Sequence, residues 1–291
     1  MNAICRVAAR GAVALGLGLA AGIATVAVAA GGVAGEAVAD EAPAFIAHRA
    51  VYDLTLDRLA AKSSVQGARG RIVYEFSGNA CDGWAMSLRQ VVQIDSEDGQ
   101  TVSDTLATSW EDVAGRTFRF ANQNLVDRNV REMSEGRAER AADGSVVVQI
   151  AKPAEGRVEL GSGVVFPTQH MRRLIETARK GETILSVKVF DGTEAGRKVY
   201  DTMGVVGRAI APGAEGSLEP VLRVPELKDT RRWPVTVSYF EAGSDQQTPI
   251  YTLGFELFEN GISRDLTLDY GDFRLKGAMT TLDILPPTPC R

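Results

Sequence analysis

Histidine side chains are sparse in this sequence, which limits the metal and acid–base sites that the fold could build. The 291 residues include two histidines, His48 and His170. With carboxylates they could bind a transition metal only if the fold brought them together, because no His-Glu-x-x-His spacing is present. We expect His48 to begin the first strand and bond locally, and His170 to be a structural or surface residue in a helix. No metal and no cofactor is predicted.

Motifs for nucleophilic or acid–base catalysis are equally hard to find. A serine hydrolase of the α/β type needs a Gly-x-Ser-x-Gly turn, which is absent, and Gly161-Ser162-Gly163 is typical of a simple turn. Asp and Glu number 37, so a glycosidase with paired carboxylates stays open, but no spacing identifies a pair. Phosphate-binding Gly-x-x-x-x-Gly-Lys is also absent. The sequence therefore predicts no catalytic residue and no enzyme.

The N-terminal segment has the pattern of a secretory signal. Residues 11–30 carry no charge and follow a short stretch with Arg6 and Arg10. Two small-x-small cleavage sites come next, at 27–29 and 37–39, and we expect cleavage at the second. A retained membrane anchor is the alternative, although Gly and Ala make the segment only weakly apolar. The chain is therefore predicted to be exported to the periplasm.

Cleavage after a signal of residues 1–39 would change the cysteine count. It removes Cys5 and leaves Cys81 and Cys290 in a compartment where thiols oxidise. One internal pairing is then possible, and closing so long a loop would stabilise the fold by roughly 5 kcal/mol. Two buried free thiols or an intermolecular bridge are the alternatives.

Short alternating runs dominate the remaining residues, 40–291, which we expect to form a single all-β domain. In 52–56 and 235–239, for example, apolar and polar residues alternate, as in strands with one buried face. Hairpin-type dipeptides separate several of these runs: Asp98-Gly99, Asp143-Gly144 and Asn260-Gly261. About fourteen such segments predict an antiparallel sheet, since their spacing leaves no room for crossover helices.

One segment has helical spacing. Its apolar residues fall at positions i, i+3, i+4 and i+7: Met171, Leu174, Ile175 and Ala178. Pro167 and Thr168 precede them, with Thr168 as the expected cap, and Gly181 can end the helix in the left-handed conformation. Residues 213–226 follow Pro212 and contain Pro220 and Pro225. Because proline cannot donate a backbone hydrogen bond to a sheet, this segment is predicted to be a loop, either a lid or a simple connection.

Charge and composition bear on the partners and on the compartment. The net charge of -5 argues against nucleic acid as a partner. Aromatic residues make up 7% of the chain and its end is proline-rich, whereas an outer-membrane barrel has aromatic girdles and a terminal aromatic strand. A periplasmic protein outside the membrane is the better interpretation.

Several segments of distinctive sequence occur together along the predicted mature chain. They are residues 48–54, 81–84, 166–170, 260–262 and 268–273, followed by a cysteine next to the C-terminus. In this combination the chain resembles the EipB family of bacterial cell-envelope integrity proteins. The resemblance covers essentially the whole chain after the signal.

The resemblance implies a periplasmic protein of Gram-negative cells with no known catalytic residues. It implies an antiparallel β-spiral, or open barrel-like sheet, with one short helix, and it makes Cys81 and Cys290 the family's cysteine pair. It also implies a role in resisting envelope stress, with a tetratricopeptide-repeat periplasmic protein as a candidate partner. We expect the disulfide to clasp the winding sheet at its open edge.

Three functions stay open at this point. We favour a non-enzymatic envelope scaffold or protein-binding module. A carrier of lipid or another hydrophobic ligand is the first alternative, because a bent sheet can hold acyl chains on an apolar concave face. An envelope hydrolase that uses carboxylates is the second, and it would require two close acids, one of them with a raised pKa.

Overall fold

A computed structural model describes most of the chain after the predicted signal. The described residues are 43–214, 218–243, 248–286 and 288–290. They belong to one compact unit, Pro43–Arg291. The predicted signal peptide, 1–39, lies outside the described residues and stays a prediction. Within the described ranges, no helix has the length and apolar character needed to cross a membrane.

Within the described residues, fifteen strands form one sheet, which confirms the all-β prediction. Their bounds are β1 His48–Leu59, β2 Val65–Asn79, β3 Gly83–Ser96, β4 Gly99–Glu111, β5 Thr117–Val126, β6 Asn129–Arg140, β7 Val146–Lys152, β8 Gly156–Gly161, β9 Val164–Val165, β10 Ile184–Val189, β11 Tyr200–Val206, β12 Arg232–Glu241, β13 Tyr251–Phe258, β14 Ser263–Asp269 and β15 Phe273–Ile284. The order across the sheet is β8-β7-β6-β5-β4-β3-β2-β1-β15-β14-β13-β12-β11-β10-β9.

This order places the first strand and the last strand next to each other in the middle of the sheet. β1 pairs antiparallel with both β2 and β15, and the edge strands β8 and β9 are consecutive in sequence. Hairpins make most of the connections. The predicted turns at Gly99, Gly144 and Gly261 are confirmed, with φ of 116°, 84° and 91°, values that suit glycine because it has no Cβ.

One strand pair departs from the predicted antiparallel sheet. β9 and β10 run parallel, with Val164 opposite Lys188 and Val165 opposite Val189. Parallel neighbours need a crossover of a dozen or more residues. The helix α1, Pro167–Arg179, provides it, so the sequence does contain one strand–helix–strand unit.

The helix α1 confirms the predicted spacing but corrects its cap. Leu174, Ile175 and Ala178 are buried, and Gly181 follows with φ of 73°, as expected for a left-handed end. Thr168 was predicted as the N-terminal cap, and this is wrong. The N-cap position is Phe166, whose side chain makes no capping hydrogen bond.

Two hydrophobic clusters fill the inner face of the sheet. The central core combines a residue that precedes β1 with strand residues from both halves of the sheet and with α1. Its members are Phe45, Phe76, Trp84, Leu174, Ile175, Ala178, Val206, Trp233, Val235, Val237 and Leu257. The second cluster joins β5, β6 and β7 to the ends of β9 and β10: Phe118, Phe120, Ala138, Val146, Val148, Ile150, Val164, Phe166 and Phe190. The sheet therefore curls around α1 and brings its two halves face to face.

The predicted loop at 213–226 is a packed connection over the part that the structure describes. It contains two short helical turns, Pro220–Leu222 and Pro225–Lys228. Leu222 is 2% exposed, and the Glu219 carboxylate lies 2.8 Å from the Arg264 guanidinium. This part of the segment is anchored to the sheet.

Candidate functional site

The structure contains the predicted disulfide between Cys81 and Cys290. Their Cα atoms are 5.7 Å apart across a sequence separation of 209 residues. Asn79 organises the surrounding turn, because its Oδ1 accepts hydrogen bonds from the backbone of Cys81 at 2.8 Å and Asp82 at 2.7 Å. Its amide also donates to the Pro289 carbonyl at 3.3 Å. The bond and the amide together fix the C-terminal tail.

The position of the disulfide corrects our expectation that it would close the open edge. Cys81 lies in the turn between β2 and β3, and Cys290 follows β15. In the sheet, β2, β1 and β15 are neighbours. The disulfide therefore spans the hydrogen-bonded middle of the sheet, while the edges are β8 and β9.

Glu111, the last residue of β4, caps α1 from 57 residues away. It is 2% exposed, and its two carboxylate oxygens accept the backbone N–H groups of Thr168 at 2.7 Å and Gln169 at 3.0 Å. Burial raises the pKa of Glu111 to about 7, against the effect of these hydrogen bonds. Because both oxygens are engaged at the helix terminus, we assign Glu111 a structural role.

The two histidines are buried and belong to different elements of the fold. His48 begins β1, as predicted, and its Nδ1 lies 2.8 Å from the Ile46 carbonyl. Burial lowers the pKa of His48. His170 is 6% exposed in α1, and burial together with the Arg173 charge lowers its pKa to about 4. In the described ranges, no group of three His, Cys, Asp or Glu residues could hold a metal ion.

A row of aromatic rings crosses five strands on the inner face. This tyrosine row consists of Tyr200, Tyr239, Tyr251, Tyr270 and Phe273. Successive ring centroids are 6.0, 5.7, 5.2 and 5.0 Å apart. Tyr239 packs against the central core that contains α1, which places the row inside the curl of the sheet.

The tyrosine row is partly exposed. Tyr239, Tyr251 and Tyr270 are half-buried and keep part of their surface open to solvent. Yet desolvation raises the pKa of each of the three hydroxyls.

Polar side chains face inward from the other half of the sheet. We call Gln90, Thr105, Asn122 and Asn124 the amide wall; all four are half-buried. Gln90 pairs with Thr105, and Thr105 with Asn124, in the strand registers, so these side chains share one face. Asn124 Nδ2 donates to Thr105 Oγ1 at 2.8 Å.

The amide wall makes two contacts with the other half of the sheet. At one end Gln90 Nε2 donates to the Tyr270 hydroxyl at 3.1 Å. At the other end the Asn122 amide donates to the Asp191 carbonyl at 3.4 Å. We call the inner surface between these two contacts, with the tyrosine row on one side and the amide wall on the other, the inner recess.

Asp191, whose backbone carbonyl makes the second of these contacts, also has an acidic side chain at this end of the inner recess. Burial raises the pKa of the Asp191 carboxyl, although Thr193 donates hydrogen bonds to it through both its backbone and its hydroxyl. The Thr193 hydroxyl oxygen is also 3.2 Å from that of Tyr200. This end therefore joins a carboxyl group to the first ring of the tyrosine row.

Sequence reasoning missed the inner recess, although part of the signal was present. Tyr239 and Tyr270 each continue the apolar phase of an alternating strand, which indicated their inward direction. Their neighbours in the row are far away in sequence, however. The order of the strands across the sheet was needed to assemble them.

Comparison with known proteins finds relatives that match most of the chain. The family model described as EipB-like matches residues 39–286. The chain is 41% identical over 256 residues to the cell envelope integrity protein EipB of Brucella abortus, covering 87% of this chain and 89% of that protein. It is also similar to the crystal structure of a β-barrel-like protein from Brucella abortus that represents a domain of unknown function, with a TM-score of 0.76, 40% identity, and coverage of 84% of this chain and 100% of the other.

Proposed function

Because this chain belongs to the EipB-like family, we propose that it supports the integrity of the bacterial cell envelope from the periplasm. The single observation that carries the proposal is the 41% identity to a cell envelope integrity protein over 87% of this chain and 89% of that relative. The matched region extends through the whole fold, including the strand pairs that build the inner recess. The secretory pattern of the N-terminus supports the periplasmic location.

We propose further that the protein acts by binding and not by catalysis. Glu111, a buried acid with a raised pKa, uses both oxygens to hold α1. The inner recess instead offers hydroxyls, amides and aromatic rings, which are suited to recognition. A tetratricopeptide-repeat periplasmic protein is a candidate partner for such a binding module.

A deletion strain tests the envelope role. We expect loss of the gene to increase sensitivity to detergents and other envelope stresses, and expression of the full chain with its leader to restore resistance. Expression of residues 40–291 without a leader is the matched control, because the same fold would then stay in the cytoplasm. Unchanged detergent sensitivity of the deletion strain would overturn the envelope role.

A second experiment tests the mode of action. Affinity purification of the tagged full chain from the periplasm, after reversible crosslinking, should recover a defined protein partner. Native mass spectra of the same material report any lipid that travels with the chain. A bound lipid in place of a protein partner would favour the hydrophobic carrier over the scaffold.

A further inference from the structure

We propose that two copies of this chain associate through β10, whose unpaired half joins antiparallel to the same half of the second copy. The strand β10 runs from Ile184 to Val189, whereas β9 reaches it only at Lys188 and Val189. Within the described residues, 184–187 therefore have a ladder partner on one side, β11, and none on the other. We call this unpaired side of residues 184–187 the free edge.

Two hydrogen bonds at the ends of β10 show which backbone groups point into the free edge. Phe190 N–H donates to the carbonyl of the last residue of β9 at 3.0 Å. The Thr183 carbonyl instead accepts a hydrogen bond of 2.8 Å from the last residue of β11. Along a strand, consecutive residues direct their backbone groups to opposite sides. The N–H and C=O groups of Ile184 and Ser186, which share the phase of Phe190, therefore point into the free edge.

The free edge is open to solvent. Ile184 and Ser186 are both exposed. Gly163, with φ of 78°, turns the chain just before β9 begins. An open groove is lined in part by the turn 162–163 and by Ser186 and Lys188 of β10. The place beside β10 that a longer β9 would occupy is therefore available to another strand.

The other edge strand, β8, has the usual protection against such pairing. It places the charged side chains of Arg157 and Glu159 on its exposed face, where they form an ion pair of 2.9 Å. Charged side chains on an edge strand discourage pairing with another chain. Residues 184–187 of β10, in contrast, include no charged side chain. This difference favours β10 over β8 as the edge that takes a partner.

Exposed apolar side chains lie beside the free edge on the outer face of the sheet. Ile184 is 61% exposed, and Val205, which is opposite it on β11, is 44% exposed. Met203, opposite Ser186, is 40% exposed. Removing such side chains from water is favourable. A strand added at the free edge should therefore bring an apolar side chain to the position beside Ile184.

A second copy of β10 meets this requirement. If Ile184 lies opposite the partner's Ile184, the apolar row of Val205 and Ile184 continues into the same two residues of the second copy. Each Ile184 N–H then donates to the partner's Ile184 carbonyl, and each Ser186 N–H donates to the partner's Glu182 carbonyl. Such a contact uses the same surface on both copies, so it closes as a twofold dimer.

The contacts around Glu182 and Lys188 favour this register. The register needs only the carbonyl of Glu182, because the Glu182 N–H already donates to the Thr177 carbonyl at 3.0 Å. The exposed side chain of the partner's Glu182 would lie diagonally across from the exposed Lys188, where opposite charges attract. A register shifted toward Lys188 would collide with β9, because Val164 already lies opposite Lys188.

Sedimentation velocity of the oxidised chain, purified after export, tests the proposal without reference to the envelope role. We expect a reversible shift from monomer to dimer between about 1 and 300 µM, because so small an interface is weak. Ile184→Lys and Ile184→Glu should each weaken dimerisation by roughly tenfold or more, since either change places two like charges opposite each other. An equimolar mixture of the two variants should recover the dimer, because the opposed charges then have opposite signs.

Val73→Lys is the matched control. Val73 is also an exposed apolar residue, 37% exposed, but its strand β2 is paired on both sides, with β1 and β3. The change should leave dimerisation as it is in the wild type. A monomer at every concentration would overturn the proposal and leave the free edge to a strand of another protein. Equal weakening by Val73→Lys and Ile184→Lys, or a mixture of the two Ile184 variants that stays monomeric, would overturn it as well.

Discussion

Glu111 at the end of β4 accepts the backbone N–H of Thr168 at 2.7 Å and so ties the first half of the sheet to the start of α1. The contact crosses 57 residues of sequence, and its Glu111 partner is 2% exposed. It replaces the local cap that a helix usually obtains from its own N-cap residue. The contact between α1 and β4 therefore depends on the carboxyl group of Glu111, which can gain or lose a proton.

Stability should fall as pH rises through the range in which Glu111 loses its proton. Folding raises its pKa from 4.5 to about 7, so between these values the folded chain keeps a proton that the unfolded chain releases. The stabilisation present below pH 4.5 is then lost by pH 7, by roughly 3 kcal/mol. The free energy of unfolding of Glu111→Gln, measured with urea at a series of pH values, should not show this decrease between pH 4.5 and 7.

The matched control for that titration is Glu159→Gln, which changes an exposed carboxylate on the edge strand β8. It should keep the wild-type dependence on pH. If the free energies of unfolding of the wild type and Glu111→Gln changed in parallel between pH 4.5 and 7, Glu111 would be ionised throughout this range and the prediction would be wrong.

His170 should produce the opposite dependence at lower pH. Its pKa in the folded protein is about 4, below the ordinary value of 6.5, so the unfolded chain takes up a proton first as the pH falls. The folded state is expected to lose roughly 3 kcal/mol between pH 6.5 and 4. The difference between the unfolding curves of wild type and His170→Gln isolates this effect, and a difference that is constant with pH would contradict it.

Reduction should destabilise the fold. The disulfide closes a separation of 209 residues, for which the loop-closure model gives about 5 kcal/mol, and less if the unfolded chain retains structure. We expect Cys81→Ser, Cys290→Ser and the double variant to melt at the same lowered temperature as the reduced wild type. If reductant lowered the melting temperature of the double variant as well, the effect would not come from this bond.

Gly192 should tolerate alanine poorly. It has φ of 79°, and a Cβ at this position would lie 2.3 Å from the Phe120 ring. Gly163 has φ of 78° with no atom within 4 Å of its Cβ position, so Gly163→Ala measures the backbone cost alone, about 1 kcal/mol. Thermal unfolding should show Gly192→Ala to be less stable by a further 1–3 kcal/mol, roughly, from overpacking. Equal losses would mean that Phe120 moves aside freely.

The elements of this fold were largely accessible from sequence because they depend on local patterns. Alternation predicted strands such as 52–56 and 235–239, and the i, i+3, i+4 spacing predicted α1. Cysteine counting predicted the Cys81–Cys290 pair. Each of these predictions used only the pattern of a short segment or the number of residues of one type.

Long-range contacts account for what sequence reasoning missed. Thr168 stood where a cap belongs, but the acceptor came from Glu111, which no local rule connects to the helix. The parallel pair β9–β10 was missed because its strand β9 has two residues, too few for a pattern. The inner recess depends on the order of strands across the sheet, which alternation does not encode.

The sheet order has a consequence for the sequence in which the strands can pair. Since β1 pairs with β15, the first strand to be synthesised cannot complete its pairing until the last strand has been made, and only then can the two halves of the sheet join. The edges, by contrast, are neighbours in sequence and are already connected by the chain between β8 and β9. The two halves of the sheet are therefore connected in two ways. The backbone links the edge strands β8 and β9, and the late β1–β15 pairing, followed by the disulfide of Cys290, links the strands in the middle.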